Sequence, residues 1–107
     1  MEGYIIGLYP SPYVSDSTKK QERWYAKIRS AEFKERDLIF RFGFEGYDYV
    51  VYNRTEDGIN YTGNLIPYDP ETKCYLTLFS NEKGFFLTGG WDEAGDTYEV
   101  FIRLYNI

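Results

Sequence analysis

Apolar and polar residues alternate with a period of two along much of the chain, a pattern that is typical of half-buried β-strands. In the last such run, Val100, Ile102 and Leu104 share one face. In the run 38–44, Arg41 marks the solvent face, so the phenylalanines on either side of it are expected to point inward. The pattern predicts about eight strands, near residues 4–9, 23–30, 38–44, 47–54, 59–66, 73–79, 83–88 and 97–105.

Turn-forming residues separate these runs. Glu45-Gly46 and Asp57-Gly58 are Gly-containing turns that can supply the positive φ of a hairpin. Residues 30–36 are expected to link the second and third strands. Longer connections are predicted at 67–72, which contains two prolines, and at 89–96, which contains three glycines. Every connection after residue 30, including these two, is still short enough to join neighbouring antiparallel strands. We therefore expect consecutive strands to pair antiparallel.

The segment 10–36 has two interpretations. In the first it contains a strand, in which Trp24 and Ile28 face inward. In the second, Ser15 or Ser17 caps a short helix, and Trp24 and Ile28 share a helical face at i, i+4 spacing. We favour the strand and keep one short N-terminal helix as the alternative.

Eight consecutive antiparallel strands predict an all-β fold, a compact up-and-down β-barrel that forms a single domain over residues 1–107. In architecture this resembles the calycin-like barrels, which include the lipocalin and avidin types. The likeness extends to architecture alone, because Gly89-Gly90-Trp91 does not stand in the N-terminal place where lipocalins carry their Gly-x-Trp motif.

Composition excludes much familiar enzyme chemistry. The chain has no His and one Cys, so it offers no histidine metal ligand, no Ser-His or Cys-His pair and no internal disulfide. Cys74 falls on an inward face, where cysteine acts as a small apolar residue. Asp92, Glu93 and Asp96 lack an apolar pocket suited to glycosidase chemistry and the spacing of an EF-hand. We therefore expect no enzymatic activity, no metal and no cofactor.

Charge is distributed unevenly. The net charge is −5, with nine basic and eight acidic residues in 1–54 but three basic and nine acidic residues in 55–107. An acidic protein repels the phosphates of nucleic acid, so direct nucleic-acid binding is not expected. Lys19 and Lys20 near Trp24 are the feature that would favour it, because basic residues beside an aromatic ring can bind single strands. The sequence shows no signal peptide and no apolar membrane span, and its lone cysteine fits a reducing compartment. We expect a cytoplasmic protein that does not associate with membranes.

The first functional hypothesis is a protein partner with a basic surface. In an up-and-down barrel the connections 67–72 and 89–96 lie at the same end, which gathers acidic side chains around two large aromatic residues. Small acidic proteins that inhibit nucleic-acid enzymes by imitating phosphate have a similar profile. The predicted partner-binding residues are Tyr68, Asp69, Glu71, Trp91, Asp92, Glu93 and Asp96.

The alternative is a small apolar or aromatic ligand in the barrel interior. Eight strands can enclose one small molecule, and a buried tyrosine hydroxyl requires a hydrogen-bond partner. The predicted ligand-binding residues are Phe40, Phe42, Tyr47, Tyr49, Tyr61 and Tyr98. A second set of aromatic residues is expected to face outward and to be covered by a helix, a partner or a homodimer: Tyr52, Tyr75, Phe79, Phe101 and Tyr105.

Overall fold

A computed structural model describes residues 1–9, 22–66, 69–93 and 95–105. All regular structure in this part of the chain is β-strand. The eight strands are β1 (Glu2–Tyr9), β2 (Glu22–Lys34), β3 (Asp37–Phe44), β4 (Tyr47–Thr55), β5 (Asn60–Ile66), β6 (Asp69–Asn81), β7 (Gly84–Glu93) and β8 (Asp96–Tyr105). The strand interpretation is therefore confirmed over 22–30, whereas residues 10–21 lie outside the described residues.

The strands form a closed barrel in sequence order, and each pairs antiparallel with its neighbours. β1 closes the barrel against β8, with Ile5 opposite Ile102. The predicted up-and-down barrel of eight strands is confirmed. Closure gives each of the eight described strands a hydrogen-bonded neighbour on both sides, which protects against edge-to-edge aggregation. Within the described ranges, no helix is long and apolar enough to cross a membrane.

Three strands extend well beyond the ranges that the sequence pattern predicts, by four residues or more. β6 already begins at Asp69, so most of the predicted connection 67–72 is strand. β7 continues to Glu93 because Trp91 and Asp92 pair with Cys74 and Lys73 of β6. The predicted loop 89–96 is therefore reduced to a tight turn around Gly95, whose φ is +84°.

The third difference lies in β2, which extends to Lys34 through a region predicted as a link. A β-bulge between Ile28 and Ser30 shifts the register against β3. The bulge changes which residues face inward, from Ala26 and Ile28 before it to Ala31 after it. This change of phase explains why a strict period of two fails near residue 30.

The chain topology defines two ends of the barrel. The turn 45–46 between β3 and β4 and the turn around Gly95 between β7 and β8 lie at one end, which we call the cup end. The turns 35–36, 56–59 and 82–83 lie at the other, which we call the base end.

Side chains fill the interior from the middle of the barrel to the base end. The fully buried apolar side chains there are Ile5, Ile28, Leu38, Phe40, Val51, Leu87, Val100, Ile102 and Leu104. Phe33 packs against Tyr61 and Phe85 closer to the base end, with ring centroids 6.2 and 4.8 Å apart. Side chains therefore fill this half of the interior, and the other half is described below.

Candidate functional site

A cavity of about 670 Å³ lies inside the cup end and is open to solvent on one side. Its described lining residues come from β2, β3, β4, β5, β7 and β8, so it occupies the barrel axis and is not a groove between two strands. They are Glu22, Arg23, Trp24, Phe42, Phe44, Glu45, Tyr49, Leu65, Trp91, Glu93 and Tyr98.

The floor of the cavity is apolar and tightly packed. Phe42, Leu65 and Trp91 are all buried, and the Phe42 and Trp91 rings meet edge to face with centroids 6.3 Å apart. Below them, Phe40 stacks on Phe42 at 6.3 Å. A core packed in this way holds its rings in fixed positions, so the floor is a rigid surface.

Trp24 forms one wall of the cavity. It lies opposite Gly7 of β1 in register, and its indole ring occupies the space that a side chain on Gly7 would fill. The indole also contacts Phe44, with ring centroids 5.2 Å apart, and approaches Tyr98 edge-on at 6.5 Å. Trp24 is therefore fixed by a glycine on one side and by aromatic rings on two others.

Tyr98 forms a second wall, beside Tyr9 of β1 with ring centroids 5.0 Å apart. The Tyr9 hydroxyl donates a hydrogen bond of 2.9 Å to Asp96 Oδ1. Burial raises the pKa of Tyr98, and the negative charges of Glu93 and Asp96 raise it further. The Tyr98 phenol therefore stays neutral at pH 7 and keeps its proton for donation.

Carboxylates surround the mouth because the strand ends at this end of the barrel are acidic. Glu22 begins β2, Glu93 ends β7, and Glu45 stands in the β3–β4 turn. Glu45 and Gly46 have φ values of 51° and 83°, the left-handed conformation that a two-residue hairpin turn requires. Arg23 is the basic residue among the described lining residues.

The predicted partner-binding residues separate into groups. The expectation that the β5–β6 and β7–β8 connections share one end is confirmed by the topology. Asp92 is exposed and accepts a 3.1 Å hydrogen bond from Thr97, and Glu93 lines the cavity. Trp91 is not a surface residue, since it is only 4% exposed and points into the barrel. Tyr68 and the side chains of Asp69 and Glu71 lie outside the described residues.

Three of the six predicted ligand-binding residues, Phe42, Tyr49 and Tyr98, line the cavity. Phe40 and Tyr61 face inward as predicted but are packed below it, in the filled half. Tyr47 is 57% exposed, which contradicts its predicted inward burial. It has the predicted strand phase, but it is the first residue of β4 and therefore lies at the rim.

Sequence reasoning missed several lining residues. Trp24 was predicted to face inward but was not connected with a ligand. What marks Trp24 as a wall of the cavity is its position opposite Gly7. That position follows from the register between β1 and β2, which the sequence pattern does not give. Glu22 and Glu45 carried no signal, because only the barrel topology places them with Glu93 at one mouth.

Of the aromatic residues predicted to face outward, Tyr52, Tyr75 and Phe79 are exposed, whereas Phe101 and Tyr105 are half-buried. Phe79 on β6, Phe86 on β7 and Phe101 on β8 form a continuous row across the outer surface, with successive ring centroids 6.3 Å apart. Phe79 and Phe86 are exposed, as are Tyr52 and Tyr75. In the described part of the chain, no helix covers this row.

Among the residues that the structure describes, no group of three His, Cys, Asp or Glu side chains is arranged to hold a metal ion. No family model, curated protein or solved structure matches this chain. The interpretation of the cavity therefore depends on its own geometry and chemistry.

Proposed function

We propose that this protein is a non-catalytic binding protein whose site is the cavity at the cup end, and that it holds a small molecule with an apolar or aromatic body. The observation that carries the proposal is a cavity of about 670 Å³ with six aromatic rings among its described lining residues. Ligand pockets in proteins have volumes of roughly 300–1,000 Å³ and are lined mainly by apolar and aromatic side chains.

The contrast between the two halves of the barrel supports this proposal. Toward the base end, aliphatic and aromatic side chains fill the interior. Toward the cup end, Trp24, Phe44 and Tyr98 line an unfilled space and remain partly exposed to solvent. Aromatic surface left in contact with water is stabilised when a ligand covers it, and a rigid wall loses little conformational entropy on binding.

Intrinsic fluorescence offers a direct test, because Trp24 and Trp91 are the two tryptophans of the chain and both line the cavity. Titration with the neutral fluorophore N-phenylnaphthylamine is expected to quench tryptophan emission and to enhance the emission of the probe. Phe44→Ala, which removes a ring at the mouth, is expected to weaken binding. Phe79→Ala, which removes an exposed ring from the outer surface, serves as the matched control.

Thermal unfolding of both variants establishes that each one folds. If the probe leaves the emission of folded wild-type protein unchanged, the cavity is not a ligand site and the proposal is wrong. Phe79→Ala is expected to bind the probe as tightly as the wild type does. If Phe44→Ala binds it equally tightly, the proposal is also wrong.

A second candidate function is the engagement of a basic protein partner by the cup end. The observation that favours it is the position of Asp92, Glu93 and Asp96 beside Glu22 and Glu45, since carboxylates from several strands surround one opening. Like-signed charges around a cleft attract a partner of opposite charge and increase its association rate. The charge-reversal experiment in the Discussion tests this candidate.

A further inference from the structure

We propose that the ligand of the cup is an organic cation, with its apolar body on the floor of the cavity and its ammonium group at the mouth. This inference rests on the proposed function, because it specifies the chemical class of molecule that the same cavity holds. Two features of the cavity support it: the aromatic walls and the charge of the mouth.

The walls present aromatic rings to the cavity from four strands. Trp24 on β2, Phe44 on β3, Tyr49 on β4 and Tyr98 on β8 all line the space above the floor. The face of an aromatic ring carries partial negative charge and attracts a cation within about 6 Å of its centroid. Several rings around one space form the arrangement by which proteins bind alkylated ammonium groups.

Among the described residues that line the mouth, acidic side chains outnumber basic ones. Glu22, Glu45 and Glu93 line it from β2, the β3–β4 turn and β7, whereas Arg23 is the one cationic side chain among the described lining residues. The carboxylates therefore come from three different elements around the opening. A positively charged group at the centre is attracted by all three, whereas a carboxylate or phosphate there is repelled.

The environment of Tyr98 indicates where these charges act together. The charges of Glu93, Asp96 and Glu22 all reach its phenol and favour the neutral form. Tyr98 lines the cavity and is partly buried, so electrostatic interactions near it are less screened by water than at the outer surface. A cation close to the Tyr98 ring would interact with the same three carboxylates.

The orientation of the ligand follows from the apolar floor of the cavity and the acidic, aromatic region above it. Phe42, Leu65 and Trp91 on the floor offer no charged group, so they suit the hydrocarbon part of the ligand. The ammonium group then lies among the upper rings and the carboxylates, where it also stays partly hydrated. A neutral ligand would use the floor and the aromatic walls but would gain nothing from the carboxylates of the mouth.

Three small molecules that share a phenyl ring and differ in the charge of their polar end test this inference: phenethylammonium, 2-phenylethanol and phenylacetate. Binding is measured by calorimetry and by the indole N–H signals of Trp24 and Trp91 in nitrogen–proton correlation spectra. We expect phenethylammonium to bind about tenfold more tightly than 2-phenylethanol, and phenylacetate to bind most weakly. The double variant Glu22→Gln/Glu45→Gln is expected to reduce this preference, because two of the three carboxylates that line the mouth are then neutral.

Glu82→Gln in the β6–β7 turn is the control, because it removes an exposed carboxylate from the base end. If the alcohol binds in the cup as tightly as the amine, or the anion binds best, the cationic ligand class is wrong and the proposed function stands. If none of the three perturbs the indole signals at millimolar concentration, the proposed function is wrong, and the ligand class with it. A preference for the cation that Glu82→Gln reduces as much as the double variant does also overturns the inference.

Discussion

The indole of Trp24 lies directly over Gly7 on the neighbouring strand, in the space where any other residue would place its Cβ. This contact fixes one wall of the cup without a hydrogen bond. The glycine has no side chain to pack inside the barrel, and the indole of the paired residue covers its backbone instead. The shape of the cavity therefore depends on the absence of a side chain at Gly7 of β1.

Gly7→Ala is accordingly expected to disturb the cup more than its size suggests. The added methyl group overlaps the indole, which must move toward the cavity or force the two strands apart. We expect a loss of about 1–3 kcal/mol in the free energy of unfolding and weaker binding of N-phenylnaphthylamine. Gly90→Ala is the control, because a Cβ there meets no atom within 4 Å, and it should change stability by no more than about 0.5 kcal/mol. Equal effects of the two variants would mean that Gly7 does not shape the site.

The alternation of side chains carried most of the information about the fold. It located all eight strands and placed Phe42, Tyr61 and Cys74 inside, because a strand with one buried face repeats every two residues. It failed at Ser30, where the bulge changes the phase. It also assigned Trp91 and Asp92 to a loop, since glycines precede them and acidic residues follow.

The cavity itself could not be predicted in this way. Periodicity identifies which residues face inward, but it does not determine whether they meet at the barrel axis. Phe40 and Phe42 lie two residues apart on the same face, yet Phe40 is packed in the core and Phe42 forms the cavity floor. That difference depends on the side chains that five other strands bring to the same level of the barrel.

Cys74 illustrates a buried polar contact that can be tested chemically. Its thiol donates a hydrogen bond to Asn53 Oδ1 at 2.9 Å, and Asn53 Nδ2 donates to the carbonyl oxygen of Leu38 at 3.0 Å. Burial raises the pKa of the Cys74 thiol to about 12 from an ordinary value of 9.0. Since the thiolate is the reactive form, iodoacetamide at pH 8 should label Cys74 only after the barrel unfolds. Rapid labelling of the native protein would show that the thiol is accessible.

The same raised pKa predicts a loss of stability at high pH. Below pH 9.0 the thiol is neutral in both the folded and the unfolded chain, so it has no effect on the pH dependence. As pH rises above that value the unfolded chain ionises first, and stability falls by up to about 1.4 kcal/mol per pH unit. Urea unfolding of Cys74→Ala at several pH values should give a shallower decline than the wild type. Parallel curves for the two proteins would contradict the raised pKa.

The contacts of Asp57 predict a loss of stability at low pH, the opposite of the effect of Cys74. Its carboxylate accepts hydrogen bonds from the backbone N–H groups of Asn60 at 2.7 Å and Ile59 at 2.8 Å, within the β4–β5 turn. These bonds hold the pKa of Asp57 well below its ordinary value of 3.8. The stability that they contribute is complete above that ordinary value and is lost as pH falls through the lower, folded value.

We therefore expect the wild-type melting temperature to fall more steeply below pH 4 than that of Asp57→Asn, which has no carboxylate to protonate there. Glu56→Gln removes the neighbouring exposed carboxylate, which pairs with Arg36, and provides the control. Its acid profile should follow that of the wild type. If Asp57→Asn also follows the wild type, the turn does not depend on the ionised carboxylate.

Charge reversal at the cup end separates a basic partner from a small ligand as the function of this surface. The triple variant Asp92→Lys/Glu93→Lys/Asp96→Lys changes the net charge from −5 to +1. A second triple variant, Glu35→Lys/Glu56→Lys/Glu82→Lys, makes the same change in the turns of the base end. Any difference between the two variants therefore reports the position of the charges and not their sum.

If the cup end attracts a basic partner, immobilised poly-lysine should associate at least about tenfold more slowly with the cup-end variant than with the base-end variant at low salt. The difference should shrink in 1 M salt, where the screening length falls from about 10 Å to about 3 Å. Asp96 accepts a hydrogen bond from Tyr9, so the melting temperature of the cup-end variant is measured first to establish that it is folded. Equal slowing of both variants would mean that net charge alone governs association, and the acidic mouth would then remain only as part of the proposed ligand site.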